Sequence, residues 1–400
     1  MTNRFYKVAL SLTMGLILIV VMLGCSSETA QTTSATSTTT APVVTTTKPT
    51  TATSATAAAA ATAATVESTP TTSQGTTRTI TDMAGRTVVI PTDIDTVYCA
   101  VPTAEAMVFS LAPEKMAAWV NQPSDNQISL LGERAQELPV LGGWMGEKVT
   151  ANLEEMAKLA PDIIVWMGDP QTASNTAEAI TQQTQRPVVV VDSNFDPTPE
   201  VYRFMGDILG VPERGEKLAA AWEACVKDVS AMVATIPDDK KVAVYYAEGN
   251  AGLTTNPAGS GHTVVLDFVK GVNIGDVEDK SGAAASPVSM EQILSWNPDV
   301  VLVSSAASAD TYNTVMTDSS WANVKAVQNK RVYMTPNLPF PWFDRPPGVM
   351  RALGIYWCGN VLYPEYVNID LHQKTKDFCK LFYNVDLTDD QVSLILKNAE

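Results

Sequence analysis

The stretch LEEMAKLAPDIIV at 153–165 is repeated in outline by MEQILSWNPDVVL at 290–302. Each stretch reads as a short amphipathic helix with a Glu in its first turn, followed by a Pro-Asp turn and an apolar run. This order predicts a helix that leads into a strand buried on both faces, which is typical of parallel sheets. Because the unit occurs once in each half of the globular region, the sequence predicts two similar α/β lobes with a ligand cleft between them.

The first 24 residues have the composition of a targeting segment. Arg4 and Lys7 precede the uncharged, mostly apolar stretch 8–23, and Gly24 stands directly before Cys25. This pattern resembles a bacterial lipoprotein signal, in which Cys25 becomes the lipidated first residue. An uncleaved membrane helix is the alternative, but the run is shorter than the ~20 apolar residues that spanning requires. We therefore expect a protein anchored by lipid to the extracytoplasmic face of a bacterial or archaeal membrane.

Residues 25–78 form a low-complexity segment rich in Thr, Ser and Ala. It lacks the large apolar side chains whose burial would offset the entropy of ordering it, so we expect a disordered tether. Its Ser/Thr content permits O-glycosylation without demonstrating it.

Charge and cysteine content narrow the class of protein. The chain has 43 acidic and 27 basic residues, a net charge of −16, which argues against nucleic acid or an anionic membrane surface as a partner. There is no Cys-x-x-Cys pair to suggest a metal–thiolate site. Cys358 and Cys379 could form a disulfide outside the cytoplasm, but spacing alone leaves this open.

The rest of the chain divides by its strand, helix and turn patterns. The run that follows Gly215 contains no Gly or Pro until about Val233, which predicts one long, stiff helix. We expect an α/β protein with two Rossmann-like lobes joined by that helix. The predicted segments are an N-terminal lobe at 79–198, a linker helix region at 199–238, a C-terminal lobe at 239–364 and a helical extension at 365–400.

Several of these features together resemble one protein family. TDMAGR at 81–86, the doubled Glu-to-Pro-Asp unit, the long helix and WANVKAVQNKRVY at 321–333 occur in the order found in the extracytoplasmic binding proteins of ABC importers for iron complexes, haem and cobalamin. The resemblance spans about 79–364 and does not cover the extension, whose role stays open. It implies limited hinge closure, a monomer, and a membrane permease with its ATPase as the partner.

The resemblance also implies a docking role for two carboxylates. Glu154 and Glu291, which open the two repeat helices, are similar to the lobe-tip residues that meet arginines of the permease. The alternative is that both only place a negative charge in the first turn of a helix. Glu155 makes the first assignment less direct, because it is a neighbouring candidate.

Ligand contacts are expected from loops at the carboxyl ends of the strands. Within 339–347, three aromatic residues and Arg345 lie among four prolines, which suggests a stiff aromatic wall and a cation for a carboxylate or catecholate oxygen. Alternatively, the aromatic residues fill the lobe interface and Arg345 pairs with Asp344 or another acid. His262 is a less favoured metal or haem ligand. The predicted ligand-binding residues are Trp144, Trp166, Tyr246, Trp342, Phe343 and Arg345.

Catalytic motifs are missing from the sequence. It contains no HExxH, GxSxG or Walker pattern, so we expect a binding protein rather than an enzyme. A carboxylate-based hydrolase and a cell-surface adhesin are the alternatives from other classes. Ferric siderophore is the favoured ligand, with cobalamin, haem or an oxyanion as alternatives. The metal would arrive as cargo, and no cofactor of the protein's own is expected.

Overall fold

Two separate parallel sheets organise the chain. The computed structural model describes residues 76–145, 148–278, 285–307 and 309–400; Cys25, the predicted signal segment and nearly all of the predicted tether lie outside these ranges. One sheet precedes the long helix and the other follows it, and all neighbouring strands within each are parallel. The expected two-lobed α/β architecture is therefore confirmed.

The N-terminal lobe is built on the strand order β3-β6-β7. A short 3-10 helix, Pro113–Lys115, follows its first helix. The elements of this lobe are β1 (Thr77–Thr81), β2 (Thr87–Pro91), β3 (Val97–Cys99), α1 (Pro102–Leu111), α2 (Asp125–Leu131), α3 (Glu133–Glu137), β4 (Trp144–Met145), β5 (Lys148–Val149), α4 (Leu153–Leu159), β6 (Ile163–Gly168), α5 (Pro170–Thr184) and β7 (Val188–Asp192).

Two consecutive helices follow this lobe, α6 (Thr198–Ile208) and α7 (Pro212–Ala234). At 1.5 Å per residue, α7 spans about 35 Å. Leu218, Trp222 and Val229 at helical spacing are buried and Cys225 is half-buried, so one face of α7 packs against the core. The two helices pack closely through Gly215, where a Cβ would lie 2.6 Å from the carbonyl oxygen of Tyr202.

The C-terminal lobe is built on the strand order β10-β8-β12-β13. All four residues of its central strand β12 are fully buried, which explains the continuous apolar run in the sequence. The elements of this lobe are β8 (Ala243–Ala247), β9 (Thr254–Thr255), α8 (Val264–Phe268), β10 (Val272–Asn273), β11 (Ser286–Pro287), α9 (Met290–Trp296), β12 (Val300–Val303), α10 (Ala309–Thr317), α11 (Lys325–Gln328), β13 (Val332–Met334) and α12 (Arg351–Leu362).

The repeated unit has the same geometry in both lobes. A side-chain cap starts each helix: Asn152 accepts a hydrogen bond at α4, and Ser289 at α9. Each helix ends in a left-handed residue, Ala160 or Asn297, before its Pro-Asp turn. The Asp of each turn accepts a backbone hydrogen bond from the start of the neighbouring strand. Thr96 N, directly before β3, donates to Asp162, and Ala243 N, the first residue of β8, donates to Asp299.

The TDMAGR segment fixes the N-terminal hairpin to the sheet. β1 and β2 pair antiparallel around Gly85, whose φ of 75° explains the glycine at this turn. The buried carboxylate of Asp82 binds Arg86 at 2.6 Å and accepts a hydrogen bond from Val190 N at 3.1 Å. Met83 N donates to Val190 O in return, so the hairpin covers the edge strand β7.

The C-terminal extension contributes α13 (Leu371–Tyr383) and α14 (Asp389–Ile395) and touches both halves of the fold. Phe382 packs on Tyr202 of α6 at 5.9 Å between ring centroids, and its carbonyl accepts a hydrogen bond from Arg214 of α7. The Trp357 indole N–H of α12 donates to Ala399 O at 2.7 Å. The thiols of Cys358 and Cys379 are both free.

Within the described ranges, no helix has both the length and the apolar composition that a bilayer crossing requires.

Candidate functional site

A cavity of about 230 Å³ opens at the carboxyl ends of two central strands of the C-terminal sheet. Glu248 directly follows β8, and Ser304 directly follows β12. This edge of an open α/β sheet is the usual position for a ligand. The lining is small and polar, and consists of Glu248, Gly249, Asn250, Thr254, Ala285, Ser304, Ala306, Ala307 and Arg345.

Larger cavities lie in other parts of the fold. One of about 670 Å³ lies between α7, α12 and α13 and has an apolar floor that includes Leu353 and Phe378. Another of about 770 Å³ separates β2 from α5. Neither is at the carboxyl end of a strand, so volume alone is a poor guide here. We assign the candidate site to the smaller cavity because its polar side chains converge on the expected sheet edge.

Arg345 is held beside this cavity by Glu248. Its Nε donates to Glu248 Oε1, while Asn256 Nδ2 donates to the other oxygen of the same carboxylate. The Arg345 side chain is 25% exposed and that of Glu248 only 4%. In the described part of the chain, Nη1 and Nη2 of Arg345 make no hydrogen bond. Among the described residues, the N–H groups of these two nitrogens therefore remain available for an anion.

The residues around Arg345 keep its guanidinium protonated and positively charged. Burial acts to lower the pKa of this guanidinium, but the hydrogen bond of Glu248 and the nearby charges of Glu248 and Asp344 together raise the pKa above its ordinary value. Its backbone is left-handed, with a φ of 56°. For a non-glycine residue this costs about 1–3 kcal/mol, and such strain concentrates at functional sites.

Asp344 connects this ion pair to His262. Its Oδ2 lies 3.6 Å from Arg345 Nε and 2.8 Å from His262 Nδ1. Among the described residues, its Oδ1 and the nearby Tyr246 hydroxyl are buried without a hydrogen-bond partner. Burial raises the pKa of Tyr246 well above its ordinary value, as do the charges of Asp344 and Glu248. We call these residues the Arg345 cluster: Tyr246, Glu248, Asn256, His262, Asp344 and Arg345.

The three aromatic residues predicted to contact the ligand are buried in or beside this cluster. Tyr246, Trp342 and Phe343 are each at most 1% exposed. Tyr246 packs on Phe343 at 4.8 Å, and the Trp342 indole N–H donates to Leu338 O at 2.9 Å. The aromatic side chains are thus packed inside the fold, and Arg345 pairs with acids. A direct ligand contact by these three side chains stays a prediction.

The two predicted tryptophans of the N-terminal lobe contact residues of that same lobe. Trp144 is buried, packs edge-on against Tyr98 at 6.3 Å and donates to Gln183 Oε1 at 3.2 Å. Trp166 is half-buried in β6 and lies over Gly168, where a Cβ would be 2.1 Å from the indole ring. Their ligand contacts also stay predictions.

Arg351, which the sequence did not single out, connects the two lobes. From the start of α12 its Nη2 donates to Ser193 O, just beyond β7, at 2.6 Å. Its guanidinium lies 5.6 Å from the ring centroid of Phe195. Burial lowers its pKa to about 10, so it remains charged at neutral pH. A charged residue at the start of an otherwise apolar helix was the available sequence signal.

Glu105 is a buried carboxyl group in α1 of the N-terminal lobe. Its Oε1 accepts a hydrogen bond from Val120 N. Burial raises its pKa to about 8, although the hydrogen bond from Val120 acts in the opposite direction.

The raised pKa of Glu105 predicts a pH dependence of stability. A carboxyl group whose pKa is higher in the folded state contributes fully below its unfolded pKa, and the contribution is lost as pH rises through about 8. We expect the free energy of unfolding of the wild type to fall between pH 5 and pH 8.5 relative to that of Glu105→Gln, which keeps the acceptor. Urea unfolding of both proteins across this range measures the difference, and parallel curves would contradict the assignment.

The two predicted docking carboxylates occupy equivalent positions. Glu154 and Glu291 are each the second residue after the helix cap. The Glu154 side chain is 81% exposed, whereas that of Glu155 is 45% exposed, which favours Glu154 as the accessible residue. Glu291 is also exposed, and backbone and Ser289 hydrogen bonds lower its pKa. Both docking roles stay predictions.

Comparison with known proteins places these features in a family. The family model described as periplasmic binding protein matches residues 127–338. An ABC transporter solute binding protein from Sulfurospirillum deleyianum is 31% identical in sequence, with a TM-score of 0.73, over 80% of this chain and 99% of that chain.

Two curated relatives are named for different ligands. The molybdate-binding protein MolA of Haemophilus influenzae is 24% identical over 345 residues, which is 79% of this chain and 93% of that protein. The Fe(3+)-citrate-binding protein YfmC of Bacillus subtilis is 24% identical over 196 residues, 47% of this chain and 58% of that protein. These relatives are binding proteins and not enzymes. The chain belongs to the periplasmic binding protein family and is a solute-binding protein of an ABC transporter.

Proposed function

We propose that the protein captures an anionic metal compound and delivers it to an ABC permease. The observation that carries the proposal is that Arg345 Nη1 and Nη2, at the cavity beyond β8 and β12, make no hydrogen bond to any described residue. Carboxylate, catecholate and metal-oxo oxygens are acceptors for such a fork. The class includes ferric siderophores, small ferric carboxylate chelates and metal oxyanions. The metal enters as cargo, and we propose no resident cofactor.

Cavity size favours the smaller members of this class. A volume of about 230 Å³ is below the ~300–1,000 Å³ of typical sites for drug-sized ligands. A metal oxyanion or a small carboxylate chelate fits this space, whereas a siderophore would extend into the space between the lobes. The relatives named for molybdate and for Fe(3+)-citrate support the same preference.

Delivery is proposed to use the two exposed helix tips. Glu154 and Glu291 would pair with arginines of the permease, whose ATPase drives transport. A single exposed ion pair is worth only about 0.2–1 kcal/mol. Two pairs on one stiff body act as a bivalent contact and also fix orientation.

The proposed location is the extracytoplasmic face of the membrane. Cys25 would carry the lipid anchor after removal of residues 1–24, and the Thr-rich tether would let a monomeric binding domain reach both free ligand and permease.

Ligand titration tests the proposal. Purified protein is titrated by calorimetry with sodium molybdate, ferric citrate, a ferric catecholate siderophore, haem and cobalamin. We expect saturable binding of molybdate, ferric citrate or the siderophore, with a dissociation constant of micromolar or below. Binding of cobalamin or haem alone would replace the proposed ligand class. Binding of none of the five would contradict the proposed ligand class.

A further inference from the structure

We infer that Arg351 and Phe340 are positioning residues for ligand binding. They fasten the segment that carries Arg345 to the N-terminal lobe, and this attachment sets the place of the Arg345 guanidinium beside its cavity. The inference rests on the proposed role of Arg345 as the residue that binds the anion. Contacts between the lobes, made by two side chains outside the cavity lining, then control ligand affinity.

The segment between β13 and α12 is attached to the N-terminal lobe on both sides of Arg345. Before Arg345, the ring of Phe340 packs on Phe109 of α1, with 6.4 Å between the ring centroids. After Arg345, the Nη2 atom of Arg351 donates to Ser193 O at 2.6 Å. The cavity that Arg345 lines opens at the C-terminal sheet. The segment therefore spans from one lobe to the other and back.

Arg351 joins the two lobes through directed hydrogen bonds from a buried side chain. Its Nε donates to Gly348 O of its own segment at 3.2 Å, while its Nη2 donates to Ser193 O of the N-terminal lobe. The guanidinium also lies over the ring of Phe195. A planar guanidinium that makes two such bonds fixes the separation of the groups it joins. A lysine at this position would keep the charge but could not make both bonds in the same geometry.

Asp344 connects the two arginines electrostatically. Its Oδ2 lies 3.6 Å from Arg345 Nε. Burial lowers the pKa of Arg351 to about 10, and the negative charge of Asp344 opposes that lowering. Because Asp344 is buried, salt screens its interactions with the two guanidinium groups only weakly. A displacement of Arg351 therefore alters the electrostatic surroundings of Arg345 as well as the path of the backbone between them.

A double-mutant cycle on ligand binding tests the positioning role. The wild type, Arg351→Lys, Arg345→Lys and the double variant are titrated by calorimetry with sodium molybdate, ferric citrate and a ferric catecholate siderophore. We expect Arg351→Lys to weaken binding about three- to tenfold when Arg345 is present. In the Arg345→Lys background the same change should cost less than about twofold, because the fork that it positions is gone. A purely structural role of Arg351 predicts equal losses in both backgrounds.

The variant Phe340→Leu tests the attachment on the other side of Arg345. It keeps an apolar side chain but removes the ring that packs on Phe109. We expect a loss of affinity that again depends on the presence of Arg345. This variant decides the matter if Arg351→Lys does not fold, and thermal unfolding of every variant shows whether it folds.

The matched control is Arg214→Lys. Arg214 also donates to backbone carbonyl groups of two different elements, at Ser110 and Phe382, but it lies outside the segment that carries Arg345. We expect this variant to bind ligand as the wild type does, whatever its melting temperature. An equal loss of affinity in Arg214→Lys and Arg351→Lys would overturn the positioning role.

Two further outcomes separate this inference from the proposed function. Weak binding by Arg345→Lys, together with wild-type affinity of Arg351→Lys and Phe340→Leu or with equal losses in the two backgrounds, would overturn the positioning role and leave the proposed function intact. Wild-type affinity of Arg345→Lys would overturn both.

Discussion

Replacing Glu154 and Glu291 together by alanine should abolish uptake while ligand affinity stays at the wild-type level. Both side chains are exposed at helix tips, and neither lines the cavity beside Arg345. The change removes both halves of a bivalent ionic contact, so the loss of effective affinity exceeds that of either single variant. Transport into proteoliposomes that contain the permease and its ATPase measures uptake, and calorimetry measures ligand binding.

The control variant removes the same number of negative charges, but at two other positions. Glu155→Ala with Glu137→Ala also removes two carboxylates, one of them adjacent to Glu154, and should transport normally. Glu154 and Glu291 each lie in the first turn of a helix, where a negative charge is worth only about 0.3–1 kcal/mol to stability. The fold should therefore persist in the double variant. Normal uptake by that variant would refute the docking role.

Replacing Arg345 by alanine should weaken binding of the metal compound at least tenfold, which corresponds to about 1.4 kcal/mol. Arg345 is the only arginine among the described residues that line the cavity, so the change removes the guanidinium and its Nη1 and Nη2 donors. It also leaves Glu248 and Asp344 without their cation in a buried setting, which costs stability. Thermal unfolding must accordingly be measured beside the ligand titration.

The variant Arg345→Lys separates the effect on ligand binding from the effect on stability. Lysine keeps a positive charge near Glu248 but presents no planar fork, so we expect near-normal stability with ligand binding still weakened. Trp342→Ala is a poorer probe, because Trp342 is fully buried and its loss would disturb packing as well as any ligand contact. Titration curves of Arg345→Lys and Arg345→Ala that match the wild type would remove Arg345 from the site.

The lobes were predictable because local patterns encode them. The unit that begins at Leu153 and the unit that begins at Met290 each combine a cap, an amphipathic helix, a Pro-Asp turn and a buried strand within a few residues. Such features depend on contacts between neighbours in sequence. The long helix was predictable for the same reason, and its buried face at Leu218, Trp222 and Val229 follows from helical spacing.

The site was less predictable because its contacts are distant in sequence. Arg345 meets Glu248 across 97 residues, and Arg351 meets Ser193 across 158. The proline-rich segment has no helical or strand period that could tell which side chains point inward. Gly354 of α12 lets the backbone of this segment approach the helix closely, because a Cβ at Gly354 would lie 1.9 Å from the Trp342 carbonyl oxygen.

The extension gives the two lobes a second connection that the sequence did not indicate. In α13, Phe382 packs against Tyr202 and Tyr383 packs against Phe340. Near the end of the chain, the Ala399 carbonyl oxygen accepts a hydrogen bond from the Trp357 indole N–H. Helical periodicity predicts that these helices exist but not which lobe they cover. Together with α7, this connection favours a stiff molecule in which the helix tips keep a fixed separation.

Anomalous diffraction from crystals soaked with sodium molybdate, or with ferric citrate, tests the central claim most directly. We expect a metal peak in the cavity beyond β8 and β12, with ligand oxygens within hydrogen-bond distance of Arg345 Nη1 or Nη2. A peak in the apolar cavity between α7 and α13, or a well-ordered ligand between the lobes that leaves Arg345 untouched, would contradict it.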